Sequence, residues 1–148
     1  MKLQQATRCA ILALLHMASR PDEQIATSEI AEIYSISQHH LAKVLRTLSR
    51  AGLVESIRGV GGGCSLMADP RKVSLYQIIQ LFEPDWWTTA PTPNEMPTGV
   101  SSELMRVMNE IDRLSAATLQ SVTLQTILNN TERRSRRHEQ ELARQAQG

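Results

Sequence analysis

Apolar residues recur at three- and four-residue spacing over three stretches of the first half of the chain. Between Thr7 and Ser19 the repeat is Ala10, Ile11, Leu14, Leu15 and Ala18, which predicts a helix, with Thr7 placed to cap its start. "SRPDEQ" ends it. In "ATSEIAEIYSIS" either Thr27 or Ser28 can cap a helix of about two turns, with Glu29 in the first turn and Ile30, Ala31 and Ile33 facing inward. Ser37 then caps "QHHLAKVLRTLSRAG", where Leu41, Val44, Leu45 and Leu48 make one stripe and Gly52 stops the helix. A short helix, a link of a few residues and a longer, more basic helix are the grammar of a helix-turn-helix.

The periodicity then changes. "LVESIR" and "CSLMA" read as two short strands around the glycines of "RGVGGGC", so a hairpin follows the second helix of the pair. A helix over "VSLYQIIQLF" comes next, capped by Ser74, burying Leu75, Ile78, Ile79 and Phe82 and closed by Pro84. From Glu83 to Gly99 the pattern dissolves into a loop with four prolines and both tryptophans. A long helix is predicted to start near Ser101 or Ser102, with Leu104, Val107, Met108, Ile111 and Leu114 along one stripe that needs a partner. Thr123 caps a short further helix over "VTLQTILNN", and "ERRSRRHEQELARQAQG" reads as a basic, disordered tail. The expected fold class is mainly α with a small β-hairpin: a winged helix-turn-helix over residues 1–83, a Pro/Trp loop over 84–100, a long C-terminal helix and a short terminal one over 101–130, and the tail over 131–148.

Composition narrows the function classes. At 148 residues the chain suits one compact domain with an appendage, and with aromatics at 3% the core must be aliphatic, which favours helices. The formal charge of +1 announces no polyanionic partner globally, so basic patches must be local. "CAILALLHMA" is about half the length of a membrane span, and no signal-peptide cleavage pattern follows it, so the expected location is the cytoplasm. Two cysteines, Cys9 and Cys64, make no disulfide framework. The glycine loop matches neither GxGxxG nor GxxxxGK[ST] and is followed by a strand broken at Pro70, so a nucleotide loop is set aside. Adjacent His39 and His40 point about 100° apart on a helix and do not share a metal ion. No nucleophile-base pair survives, so no enzyme is expected.

What remains is a reader of DNA. Donors gather on the outward side and beginning of the second helix of the pair: Ser37, Gln38, His39, His40, Lys43, Arg46 and Thr47, with Ser28 at the start of the first. The N-terminal part of a recognition helix meets base edges in the major groove; Gln38 suits adenine, and Lys43 and Arg46 suit phosphate or guanine. In the hairpin, Gly59, Gly61 and Gly62 permit close approach to a nucleic-acid backbone while Arg58 pairs with phosphate or a base edge. Two other readings keep the same fold: a thiol switch at Cys64, or Cys9, and a protein-interaction module using the tail or the Trp86/Trp87 loop. No metal site or cofactor is expected, and the small-molecule effector is unknown.

The stretch "SQHHLAKVLRTLSRAGLVESIRGVGGG" resembles the Rrf-two family of bacterial winged-helix transcriptional regulators, the IscR- and NsrR-like proteins, and the resemblance runs from the N-terminus through "VTLQTILNN". It implies a homodimer joined through the long C-terminal helix, with dimerisation residues Leu104, Val107, Met108, Ile111 and Leu114, a pseudo-palindromic operator on double-stranded DNA, and repression of transcription. Many members sense through an iron-sulfur cluster whose three cysteines precede the dimerisation helix. Here that loop is "EPDWWTTAPTPNEMPTG", without cysteine, and Arg8 stands where NsrR-like members draw on an acidic residue. The expected ligands of a cluster are therefore missing.

Overall fold

The computed structural model describes residues 2–57, 59, 62–87 and 99–146, the side chains of Trp87 and Ala146 excepted. The expected loop residues 88–98, together with Arg58 and Gly61 of the hairpin, lie outside the described residues. Among the described residues six α-helices and a hairpin follow in order: α1 Gln5–Ala18, α2 Thr27–Ile33, α3 Gln38–Arg50, β1 Val54–Ile57, β2 Gly63–Leu66, α4 Leu75–Phe82, α5 Gly99–Ser121 and α6 Leu124–Ala146. No helix among the described residues is long and apolar enough to cross a membrane.

One core holds the winged helix together. It is built from Leu14 and Met17 of α1, Ile30 of α2, Leu41 and Leu48 of α3, Val54 and Cys64 of the hairpin, Ile78 of α4 and Leu124 of α6. Burying each such side chain contributes about 1.5–3 kcal/mol. The strands pair antiparallel with Val54 opposite Leu66 and Ile57 opposite Gly63, and Ile25, ahead of α2, exchanges both backbone hydrogen bonds with Cys64 at 2.9 and 2.8 Å. That third contact fixes the wing to the helices. It also explains Gly63: a Cβ there would stand 2.5 Å from the Ile25 carbonyl oxygen, so only glycine lets the backbones meet.

Local capping follows the sequence at α3 and α4. Gln77 N–H donates to Ser74 Oγ at 3.3 Å and Ser74 N–H to Gln77 Oε1 at 2.9 Å, a reciprocal capping box. Thr123 Oγ1 accepts from Thr126 N–H at 3.2 Å, while Thr126 Oγ1 accepts from Thr123 N–H at 3.3 Å. The first helix differs from expectation. Thr7 is buried inside α1 and is not its cap; the helix has no side-chain cap of its own. A carboxylate from the far end of α4 serves instead: Glu83 Oε1 accepts from Gln4 N–H at 3.0 Å and from the Thr7 hydroxyl. An anion at a helix N-terminus satisfies free N–H groups and opposes the positive end of the helix dipole.

Three more expectations are corrected. Thr27 and Ser28 do not cap α2, whose N-cap is Ala26 without a side-chain bond. Ile33 is exposed, because α2 ends there and Tyr34 and Ile36 of the turn fill the side it would have covered. Residues 131–146 are not a disordered tail but the continuation of α6. Its first turns are anchored, with Leu124 N–H on the Val73 carbonyl at 3.0 Å and Gln125 N–H on that of Pro70 at 3.1 Å. Nucleation is the costly step of helix formation, so an anchored start lets the Arg-, Glu-, Gln- and Ala-rich remainder propagate.

Candidate nucleic-acid interface

Helix α3 shows two faces. Leu41, Val44, Leu45 and Leu48 are no more than 4% exposed, while Gln38, His39, Lys43 and Arg46 are exposed. Ser37 Oγ accepts from His40 N–H at 3.2 Å, so the expected cap forms with the hydroxyl oxygen as its acceptor. The turn from α2 is closed by Ile36 N–H donating to the Ala31 carbonyl at 2.8 Å, with Ser35 at φ +52, a left-handed position that such turns often give to glycine. The corner behind it is polar: Arg20 bonds Glu29, and His16 lies 3.3 Å from both the Tyr34 hydroxyl and Glu29. Arg20 holds the Glu29 carboxyl below the usual carboxylate range.

Not every expected donor faces outward. His40 is half-buried, its Nε2 is enclosed without a hydrogen-bond partner among the described residues, and its ring lines a cavity of about 160 Å³ beside Cys9, Arg8 and Tyr34. One turn before Val44 of the stripe, position 40 belongs to the inner edge of α3. Thr47 is also half-buried and donates to the Lys43 carbonyl at 3.4 Å. Ser28 is exposed on α2.

The wing rises beside the C-terminal half of α3. Gly59 takes φ +104, which side chains rarely adopt, and its carbonyl accepts from Gly62 N–H at 3.0 Å, closing the tip. Between wing and α3 lies a cleft of about 500 Å³ lined by Arg46, Ser49 and Arg50 of α3, Ser56 of β1, and Gly59 and Gly62. Guanidinium groups, hydroxyls and glycine backbone converging on one concave surface are what a phosphodiester backbone requires. Ser49, Arg50 and Ser56 were missed in the sequence, although Arg46, Ser49 and Arg50 stand three and four apart, on one helix face. Thr27, which also lines the cleft, left no sequence signal.

Residues 3–130 match the family model described as Rrf2, iron-dependent transcriptional regulator. The chain belongs to the Rrf2 family. Among Rrf2-type relatives, a candidate HTH-type transcriptional regulator of Rhodopseudomonas palustris named BadM is 42% identical over 139 residues, 90% of this chain and 86% of that one. The HTH-type transcriptional regulator NsrR of Bacillus subtilis is 35% identical over 136 residues, 89% and 93% of the two chains. The structure of CymR, titled the global cysteine regulator of B. subtilis, superposes with a TM-score of 0.76 at 24% identity, covering 88% of this chain and 98% of that one. The winged-helix fold and the role of a DNA-binding transcriptional regulator follow from membership.

The family description brings iron with it, and the residues of this Rrf2 chain do not fit an iron-sulfur cluster. Cys9 and Cys64 sit on different elements, both buried, and burial pushes each thiol up to about 11; two cysteines so placed fall short of the four ligands that a cluster takes. Among the described residues no three His, Cys, Asp or Glu side chains gather to hold a metal, and residues 83–99 contain no cysteine. The same burial does not favour the expected thiol switch: Cys64 is fully enclosed, its Sγ donating to the Ile25 carbonyl oxygen at 3.5 Å, whereas oxidation proceeds through an accessible thiolate.

Proposed function

We propose that the protein works in the cytoplasm as a homodimeric repressor, two copies reading a pseudo-palindromic operator. The observation that carries this reading is the juxtaposition of the outward face of α3 with the glycine tip of the wing across the Arg46–Arg50 cleft. Gln38 and His39, exposed at the start of α3, are assigned to base edges; Lys43, Arg46 and Arg50 to phosphate or guanine. Gly59 and Gly62 bring the wing backbone to the adjacent strand, with Arg58 and Gly61 assigned to the same tip from their place in the sequence.

The dimer rests on a separate observation. Leu104, Val107, Met108, Ile111 and Leu114 of α5 are 40 to 62% exposed, while Met105, Asp112 and Ala116 on the other side of the helix are half-buried. A continuous apolar stripe of that length is a surface awaiting cover, and a second copy of the same stripe supplies an isologous one. Selection of binding sites from random duplex DNA by the full chain tests the reading. Enriched sites should carry two related half-sites about one helical turn apart; recovery of a single asymmetric half-site, or of no preferred sequence, would overturn it.

A further inference from the structure

Beyond residue 130 the chain leaves the family match and continues as the free half of α6. From residue 129 to residue 145 every side chain is exposed, so no core contact holds this part of the helix. At about 100° per residue, Arg133, Arg136, Arg137 and Arg144 fall within an arc of about 100°, and Glu132, Glu139 and Glu141 fall outside it. None of the four arginines forms an ion pair among the described residues. Arg133 stands three and four positions from Arg136 and Arg137, like charges that repel on a solvated helix, a repulsion only partly offset by Glu132 and Glu141, four positions from Arg136 and Arg137. A polyanion laid along the face reverses the sign of that interaction.

We infer that the arginine face of α6 is a second DNA contact, a sequence-independent clamp on the phosphates beside the operator. The inference rests on the DNA-binding reading above, which places a polyanion against the same protein. The length of the face suits the partner: residues 131–146 span about 24 Å, the length of about seven base pairs, and the first turn of α6 is held by the Pro70 and Val73 carbonyls, in the segment that follows the wing. An anionic membrane is the poorer match, because Leu142 is the one large apolar side chain exposed on this half of α6 among the described residues and an interfacial helix needs an apolar face to insert.

The test compares the full chain with a variant carrying Arg133→Gln, Arg136→Gln, Arg137→Gln and Arg144→Gln, all exposed positions where glutamine keeps helix propensity. Both are titrated with a selected operator and with an unrelated duplex, across a salt series, each duplex bare or extended by about ten base pairs on either side. The wild type should bind the extended duplexes more tightly than the bare ones. The variant should lose that gain, weaken by about tenfold on both sequences alike, and show a salt slope shallower by about 3 to 4 per protomer. An unchanged slope and an unchanged flank effect would overturn the inference. So would a variant whose defect is confined to self-association by sedimentation, which would give the arginines to a second copy of the chain. Failure of the DNA-binding reading is separately visible, as a wild type indifferent to every duplex.

Discussion

Helices α3 and α5 carry the same kind of apolar stripe and meet opposite fates. In α3 the four stripe residues are enclosed by α1, the turn after α2 and the hairpin; in α5 the five stripe residues look into solvent while the other side of the helix rests on α4. Periodicity states that a face must be covered, not what covers it. Where the cover is the same chain, the stripe becomes core, and the polar residues opposite are free to touch something else. Where the described residues supply no cover, the stripe is the surface proposed above for a second copy.

The comparison can be broken at either helix. Leu48→Ala, in the enclosed stripe, should cost about 2–5 kcal/mol of unfolding free energy, the transfer of the leucine plus the cavity it leaves, read as a drop in the denaturant midpoint at constant slope. A loss under about 1 kcal/mol would mean that α3 is not core at all. Ile111→Asp, in the bare stripe, should leave helical content unchanged, shift the sedimenting species from dimer to monomer, and weaken operator binding by about tenfold or more, because one half-site lacks the additive contribution of its twin. A protein that sediments as the wild type does would detach the α5 stripe from assembly.

How much of this was legible in the sequence depends on the range of the interaction. The α3 stripe, the Ser37 cap, the Ser74 box and the hairpin are set by residues within a few positions of one another, so spacing and capping chemistry suffice. Glu83 satisfies the start of α1 from 76 positions beyond Thr7 and 79 beyond Gln4, and nothing local marks it. Gly63 reads as one more flexible turn residue until Ile25 is brought against it. His40 sits among donors in the sequence, yet the α1 surface draws its ring inward. The tail of α6 looks disordered by composition because its nucleus, the anchored turn at Leu124, is a tertiary contact. Of the interface, Gln38, Lys43 and Arg46 could be read from helix phase, whereas Ser56 and Thr27 join the cleft only when the wing folds back.

The central claim is that the outward face of α3 reads DNA, and base-by-base discrimination by a Gln38→Ala protein tests it most directly. On operator variants substituted one base pair at a time, the account predicts that this protein loses about 1–3 kcal/mol of preference at a single position in each half-site and keeps the rest. A preference profile identical to that of the wild type at every position would contradict it.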